Sequence, residues 1–411
     1  MSRARIAVAG AGIAGLAAAL LLKRCGHAVT IFERFEKPAP LGSGLIIQPT
    51  GQMVLGELGL LDEAEGLSSR LTAIRGHDAI TGRPVLDVSY ASLGGGGYGL
   101  GIGRGVLFGV LFDATRRAGI EVVTDTRVDA VRQVLANSYR LVSRGKTIGI
   151  DFDLVIDATG TGSQLRRQFF PRHEPRPNAY GALWTSLDFH EDGFDLGALA
   201  QRYDKASVMI GVLPTGRVHK GGPQRAAFFW SQKPEGYVAL RAAGLQAWKD
   251  RVAAYWPQTT CYLDQIHDWD QLTLARYGHH TLPEPFAPGL AFIGDAAHST
   301  SPQLGQGANM ALLDAMALER ALAQYANIDQ ALSEYGRMRW LHVRLFQFLS
   351  ATLTPFYQSD SAVLPFVRDR LAAIAARVPP GPKLLAGMVA GTLGWSDRWM
   401  NLSSDRVTSA P

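Results

Sequence analysis

Arg5-Ile6-Ala7-Val8-Ala9-Gly10-Ala11-Gly12-Ile13-Ala14-Gly15 sets the architecture of this chain. Its first five residues are strand-like and, from Ile6 on, apolar, and Ile13 to Leu22 is an Ala/Leu-rich run of strong helix formers, so the glycines sit at a strand-to-helix turn. Gly10 permits the tight turn, Gly12 lets the backbone approach a pyrophosphate, and Gly15 lets the helix pack closely on the strand. The helix N-terminus then directs its free N–H groups at the phosphates, with Ala11 and Ala14 completing the cradle. A second strand, Ala28 to Phe32, ends in Glu33, an acid about 20 positions past the glycines that suits the adenosine ribose hydroxyls. Strand, helix, strand and acid in this order predict a dinucleotide-binding α/β sheet.

Other glycine runs do not repeat the pattern. Gly94-Gly95-Gly96-Gly97-Tyr98-Gly99 has the right spacing, but no apolar strand leads into it and no helix follows at once, so it reads as a loop. Gly160-Thr161-Gly162 fails at its last position, Leu165. Any nicotinamide cofactor is therefore expected to lack a Rossmann site of its own.

The 411 residues suffice for a large core divided into two or three lobes. With 47% hydrophobic and 19% charged residues, disorder is excluded. A net charge of +5 favours anionic ligands, while the dispersed basic pairs Arg116-Arg117 and Arg166-Arg167 argue against nucleic acid. Two cysteines, Cys25 and Cys261, argue for a reducing compartment, and cytoplasm is the expectation. The apolar runs are too short for a membrane span. His279-His280 lacks helical ligand spacing, so no metal is expected.

Along the chain, a helix is expected over Met53 to Leu61 and an amphipathic one over Arg104 to Ala118, with strands in Glu121 to Val134 and Asp153 to Asp157. Strand-like alternation runs from Asn178 to Leu274. A short buried strand, Leu290 to Ile293, delivers Gly294-Asp295, and helix is expected from Gly305 to Tyr325. Asp329 to Trp395 reads as mostly helical with breaks at Pro355, Pro365, Pro379 and Pro380-Gly381.

Two downstream segments give the cradle a more specific meaning. Gly294-Asp295-Ala296-Ala297-His298, followed by Pro302 and then Gly305-Gln306-Gly307-Ala308-Asn309, combines with Gly10 to Gly15, Glu33 and Arg34. Together they resemble the single-component FAD-dependent aromatic hydroxylases, the para-hydroxybenzoate and salicylate hydroxylase family, over residues 4 to about 325. The resemblance implies an α/β fold: a Rossmann-like FAD-binding domain (1–70, 98–175 and 276–325), an inserted sheet-based substrate domain (71–97 and 176–275) and a helical C-terminal region (326–411). It implies FAD as cofactor, NADH or NADPH as co-substrate, and hydroxylation of a small aromatic or other planar, electron-rich substrate by O2 through a flavin C4a-hydroperoxide.

Site residues follow in the same way. Asp295 would accept hydrogen bonds from the ribityl hydroxyls, and Gly305, Gly307, Ala308 and Asn309 would form the turn whose helix N–H groups meet the flavin pyrimidine. Pro302 would lie against the reacting flavin face. Arg104 matches an arginine that contacts FAD, and Val128, in the strand after the Arg104 helix, sits where backbone meets adenine. His298 is expected to pack behind the flavin rather than act as a base. Trp184, Met209, Phe229 and Trp230 are candidates for an aromatic substrate pocket. One departure stands out: Gly160, Ser163 and Arg166 fit a family signature in which Thr159 replaces an aspartate, leaving the nicotinamide contact open. Alternatives are a related flavin-dependent reductase or dehydrogenase and a non-catalytic flavin-binding protein, the latter favoured by Thr159. A monomer or homodimer is expected.

Overall fold

The computed structural model describes residues 3–38, 44–375 and 378–394; residues 395–411 of the expected C-terminal region lie outside them. Arg5–Ala9 is the hub of a six-stranded sheet. It pairs in parallel with Ala28–Phe32 on one side and Leu154–Asp157 on the other. Glu121–Val123 and Leu290–Phe292 extend the sheet in parallel, and Phe286–Ala287 closes one edge antiparallel. The apolar run of the first strand is explained by burial on both faces. Ile6 and Val8 join Leu16, Leu22 and Leu313 in one core, while Ala7 and Ala9 join Phe32, Phe152 and Phe292 in another.

A second sheet has seven strands, in the order Thr273–Ala275, Gly181–Asp188, Gln224–Gln232, Val208–Arg217, Ala198–Asp204, Ala73–Asp78, Pro84–Ser89. Only Ala73–Asp78 with Ala198–Asp204 is a parallel pair. The stretch from Asn178 to Leu274 is not strand throughout, because Tyr237–Ala242, Leu245–Tyr255 and Thr260–Leu263 are helices. They cover one face of the sheet, with Trp248 and Val252, four residues apart, directed into it. On the other face the Gly99–Gly103 strand approaches so closely that a Cβ on Gly101 would stand 2.1 Å from the Pro214 carbonyl oxygen. That strand pairs with Gly44–Ile47 and Ser69–Leu71 in a three-stranded sheet, which therefore meets the seven-stranded sheet backbone to backbone.

Four helices end the described chain: Gly307–Gln324, Ile328–Tyr357, Val363–Ala375 and Gly381–Ala390. Pro355 and Pro365 do not break them. Pro365 falls in a first turn, where backbone N–H groups lack intrahelical partners in any case, and Pro355 falls in a last turn. The interruption comes after Tyr357 instead, where Gln358 leaves helical geometry and Ser359 N donates to the Ala206 carbonyl at 3.0 Å. The expected Met53 helix begins earlier, as Pro49–Glu57, because Pro49 is preorganised for a first helical position.

Candidate functional site

The crevice lies where Arg5–Ala9, Leu154–Asp157 and Leu290–Phe292 end, beside the point at which the chain leaves the sheet in opposite directions. Two of its glycines are required by the protein itself. Gly10 has φ +101°, and a Cβ there would stand 2.6 Å from the Ala158 carbonyl oxygen; one on Gly15 would stand 2.0 Å from that of Gly10. Gly12 is different. It is exposed, and nothing comes within 4 Å of a Cβ placed on it. No side chain caps the Ile13–Arg24 helix, so its first N–H groups are open toward this space. Room and donors together fit an anionic pyrophosphate.

Glu33 is buried at the end of its strand. Its Oε2 accepts from Ala11 N at 2.8 Å and its Oε1 from Phe35 N at 3.0 Å, so it fastens the turn while keeping spare acceptor positions. Arg34 is exposed, its guanidinium 4.5 Å from the Phe35 ring centroid. Val128 is buried and lies in the connection between Glu121–Val123 and Ala130–Leu135, not in a strand.

Asp295 follows the last parallel strand. It is open to solvent, yet the surrounding protein pushes its carboxyl above the ordinary range, with Arg104 opposing that effect. Asp295 therefore reaches solvent while remaining densely surrounded by protein. Arg104 opens the Arg104–Arg117 helix, is exposed, and has no hydrogen-bond partner among the described residues; its field reaches both Asp295 and Tyr277. Pro302–Leu304 forms a single 3-10 turn, Gly305 takes φ +61°, and the helix from Gly307 starts without a side-chain cap. Gly307 is exposed and Ala308 half-buried, so this second helix N-terminus also offers N–H groups. Asn309 is fully buried: Oδ1 accepts from Gln48 N at 2.8 Å, and Nδ2 donates to the carbonyls of Ile46 (3.1 Å) and Gly305 (3.0 Å). Its side chain ties the turn to the Gly44–Ile47 strand and is not free for a ligand.

Behind the turn stands an ionic network that sequence reasoning missed. Asp314 accepts from Gly294 N (2.8 Å), His298 Nε2 (2.7 Å) and Arg339 Nε (2.7 Å). Burial pushes this carboxyl up, but His298 and Arg339 overcome it and hold it at about 2. His298 is thus committed to Asp314. Nothing in the spacing of 298, 314 and 339 signals this, since the three residues come from three separate elements.

The middle segment turns inward. Buried Asp157 accepts from Thr159 N (3.0 Å), Thr159 Oγ1 (2.6 Å) and Ser163 Oγ, and Ser163 Oγ accepts from Arg166 N (2.8 Å). Burial raises the Asp157 carboxyl, and the hydroxyl donors pull against it. Asp157 and Thr159 brace the turn against each other.

On the seven-stranded sheet, Trp184, Met209 and Phe229 share one face, and the Trp184 and Phe229 rings lie 4.5 Å apart. Trp230 points the opposite way, into the core beneath the helices, and is 2% exposed. Tyr277, not singled out from sequence, joins the first group: Trp184 Nε1 donates to its Oη at 2.8 Å. Burial pushes its phenol up to about 12. A surface hollow of about 530 Å³ near Arg24, Cys25, Glu57 and Glu319 is at the far end of the Ile13–Arg24 helix from these groups. Among the described residues no group of three or more His, Cys, Asp or Glu could hold a metal ion, and no helix is long and apolar enough to cross a membrane.

Similarity to known proteins identifies the family. The family model described as FAD binding domain matches residues 3–345. The chain is 26% identical over 379 residues to an aurachin C monooxygenase/isomerase of Stigmatella aurantiaca, covering 89% of this chain and 93% of the relative. It is 29% identical over 353 residues to a 3-amino-4-hydroxybenzoate 2-monooxygenase of Streptomyces cremeus, covering 82% and 83%. In fold it is similar to Klebsiella pneumoniae HpxO, solved with FAD and uric acid, with TM-score 0.77 over 95% of this chain and 97% of that one at 21% identity. The chain belongs to the FAD-binding-domain family, and it is an FAD-dependent monooxygenase.

Proposed function

We propose that the enzyme uses NADH or NADPH and O2 to hydroxylate an aromatic or other planar, electron-rich small molecule bound between the flavin and the seven-stranded sheet. What supports this reading is that Arg104 acts electrostatically on both Asp295 and Tyr277, with Tyr277 hydrogen-bonded to the aromatic face of that sheet. The chemistry FAD supplies when bound is two-electron transfer from NAD(P)H and activation of O2, one atom of which enters the product and the other leaves as water.

The chain's own residues divide the remaining work. Gly12 leaves the space and the first turn of the Ile13–Arg24 helix, Ala14 and Gly15 included, supplies the N–H donors for the pyrophosphate, while Gly10 and Ala11, whose own N–H groups donate to Phe32 and Glu33, shape the turn; Glu33 and Arg34 would lie near the ribose and the Val128 backbone near adenine. Arg104 supplies a permanent positive charge that a phosphate or reduced flavin would neutralise. Asp295 accepts ribityl hydroxyls, which would offset the enclosure that now disfavours its charge. The N–H groups of Gly307 and Ala308 stabilise negative charge on the flavin pyrimidine, Gly305 turns the chain toward it, and Asn309 holds that turn in place. Pro302, which lacks an N–H, offers an apolar edge beside the reacting face. Tyr277 accepts from Trp184 and so keeps its own proton to donate to a polar group of the substrate, while Trp184, Phe229 and Met209 exclude water around the ring.

The test is NADH and NADPH oxidation together with O2 uptake by the purified holoprotein across phenols and heteroaromatics. Substrate-stimulated oxidation with a product one oxygen atom heavier is expected. No stimulated oxidation and no oxygenated product would refute the proposal.

A further inference from the structure

Seven of the fourteen large hydrophobic side chains exposed among the described residues fall between Trp340 and Leu384, so apolar surface is concentrated on the C-terminal helices. On the Ile328–Tyr357 helix, Arg337, Trp340, Leu341, Arg344 and Phe348 recur at three- and four-residue steps and form one outer stripe. Trp340, Leu341 and Phe348 are 54%, 56% and 66% exposed, although the opposite side of the same helix already buries its own apolar residues against the protein. Two exposed aromatics here carry a cation. Arg344 lies 5.2 Å from the Trp340 ring centroid, and on the next helix Arg370 lies 3.3 Å from that of Phe366. Glu334 is already bidentate with Arg337 at 2.7 and 2.5 Å, whereas Arg344, Arg370 and Lys383 make no ion pair among the described residues.

We propose that this outer face docks on an anionic lipid surface. Trp340 and its arginine match the headgroup level, where an amphipathic ring and a cation are both satisfied, and Leu341 and Phe348 match the acyl boundary beneath. Charge complementarity selects the occupant. In a two-fold contact between copies of this chain the stripe would meet itself and set arginine against arginine, whereas an anionic bilayer supplies the missing sign. The net charge of +5 adds a long-range attraction of the same sense.

Flotation of the FAD-loaded full chain, read by flavin absorbance, tests the proposal. The probes are vesicles of equimolar phosphatidylglycerol and phosphatidylcholine, and vesicles of phosphatidylcholine alone. The wild-type protein is expected to float with the anionic vesicles and to remain below with the neutral ones. W340S/F348S is expected to abolish flotation while FAD stoichiometry and circular dichroism stay unchanged, and Arg344→Gln to lower the partition coefficient about fivefold. The proposal is overturned if the wild type floats with neither vesicle or equally with both, or if W340S/F348S floats like the wild type. It is also overturned if the wild type is a dimer that W340S/F348S converts to monomer, which assigns the face to a second copy.

Discussion

Replacing Asp314 by asparagine keeps the shape of the side chain and removes the charge on which three donors converge. Gly294 N, His298 Nε2 and Arg339 Nε all point at this carboxylate from within 2.8 Å, so an asparagine NH2 must face at least one of them in either orientation. Arg339 is almost wholly buried and would be left without its counter-charge, a loss of roughly 3–5 kcal/mol. An independent bound comes from the proton. The carboxyl is held at about 2 against an ordinary 3.8, which corresponds to about 2 kcal/mol favouring the folded state when the group is ionised. Because the folded value is depressed, that contribution is complete above about pH 4 and is lost as the pH falls toward 2. The first figure is larger because it includes the stranded arginine. Gly294 adjoins Asp295, so a loosened Gly294 N–H should also weaken FAD binding, by about tenfold for each 1.4 kcal/mol transferred to the site. Urea unfolding of wild type and Asp314→Asn, followed by circular dichroism and flavin fluorescence between pH 3 and pH 7, measures both effects. A variant within 1 kcal/mol of wild type at neutral pH, with unchanged FAD affinity, would refute the reasoning, as would a difference that grows on acidification.

Gly12→Ala should leave the apoprotein unfolding midpoint unchanged, because Gly12 is extended at φ −76° with open space around it, yet weaken FAD by about tenfold or more in equilibrium dialysis. Gly10→Ala, at φ +101° and against Ala158, should instead destabilise the fold itself by roughly 1–3 kcal/mol in the same unfolding assay. Asp295→Asn removes a charge that the surrounding protein disfavours, so the apoprotein should melt at the same or a higher temperature at neutral pH while FAD retention falls; a lower apoprotein melting temperature contradicts that account of its surroundings. Thr159→Asp would set a second carboxylate against Asp157, costing roughly 1–4 kcal/mol at neutral pH. Since each charge raises the other's folded pKa, that loss should shrink as the pH falls, and a pH-independent effect on melting would exclude this account. Trp230→Ala should lower stability by about 3–5 kcal/mol with KM unchanged in the surviving enzyme, whereas Trp184→Ala should raise KM at a smaller cost in stability.

Much of the first sheet was legible because its signals are local. The Arg5–Ala9 strand, the helix after it and the Ala28–Phe32 strand depend on a continuous apolar run, strong helix formers and glycines within a span of 28 residues. Phe229 and Trp230 show where such reading ends. Alternation says that the two rings oppose one another, but which of them meets the crevice depends on the helices from Tyr237 to Leu263 covering the Trp230 side. The prolines at 355 and 365 mislead for a related reason: a proline's effect depends on its place within a helix, and the end of the Ile328–Tyr357 helix is set by a contact with Ala206.

By itself the sequence determined a parallel sheet with a phosphate-sized opening at Gly12 and a second glycine-bearing turn at Gly305–Gly307, because φ preferences and periodicity act between neighbours in the chain. Tertiary structure decided which polar side chains remain free. Asn309 is consumed by Gln48 and Ile46, Asp157 by Thr159 and Ser163, and His298 by Asp314, whereas Arg104 and Asp295 stay open to the crevice. A buried donor or acceptor takes the nearest satisfactory partner, and that partner is set by how the two sheets and the C-terminal helices pack.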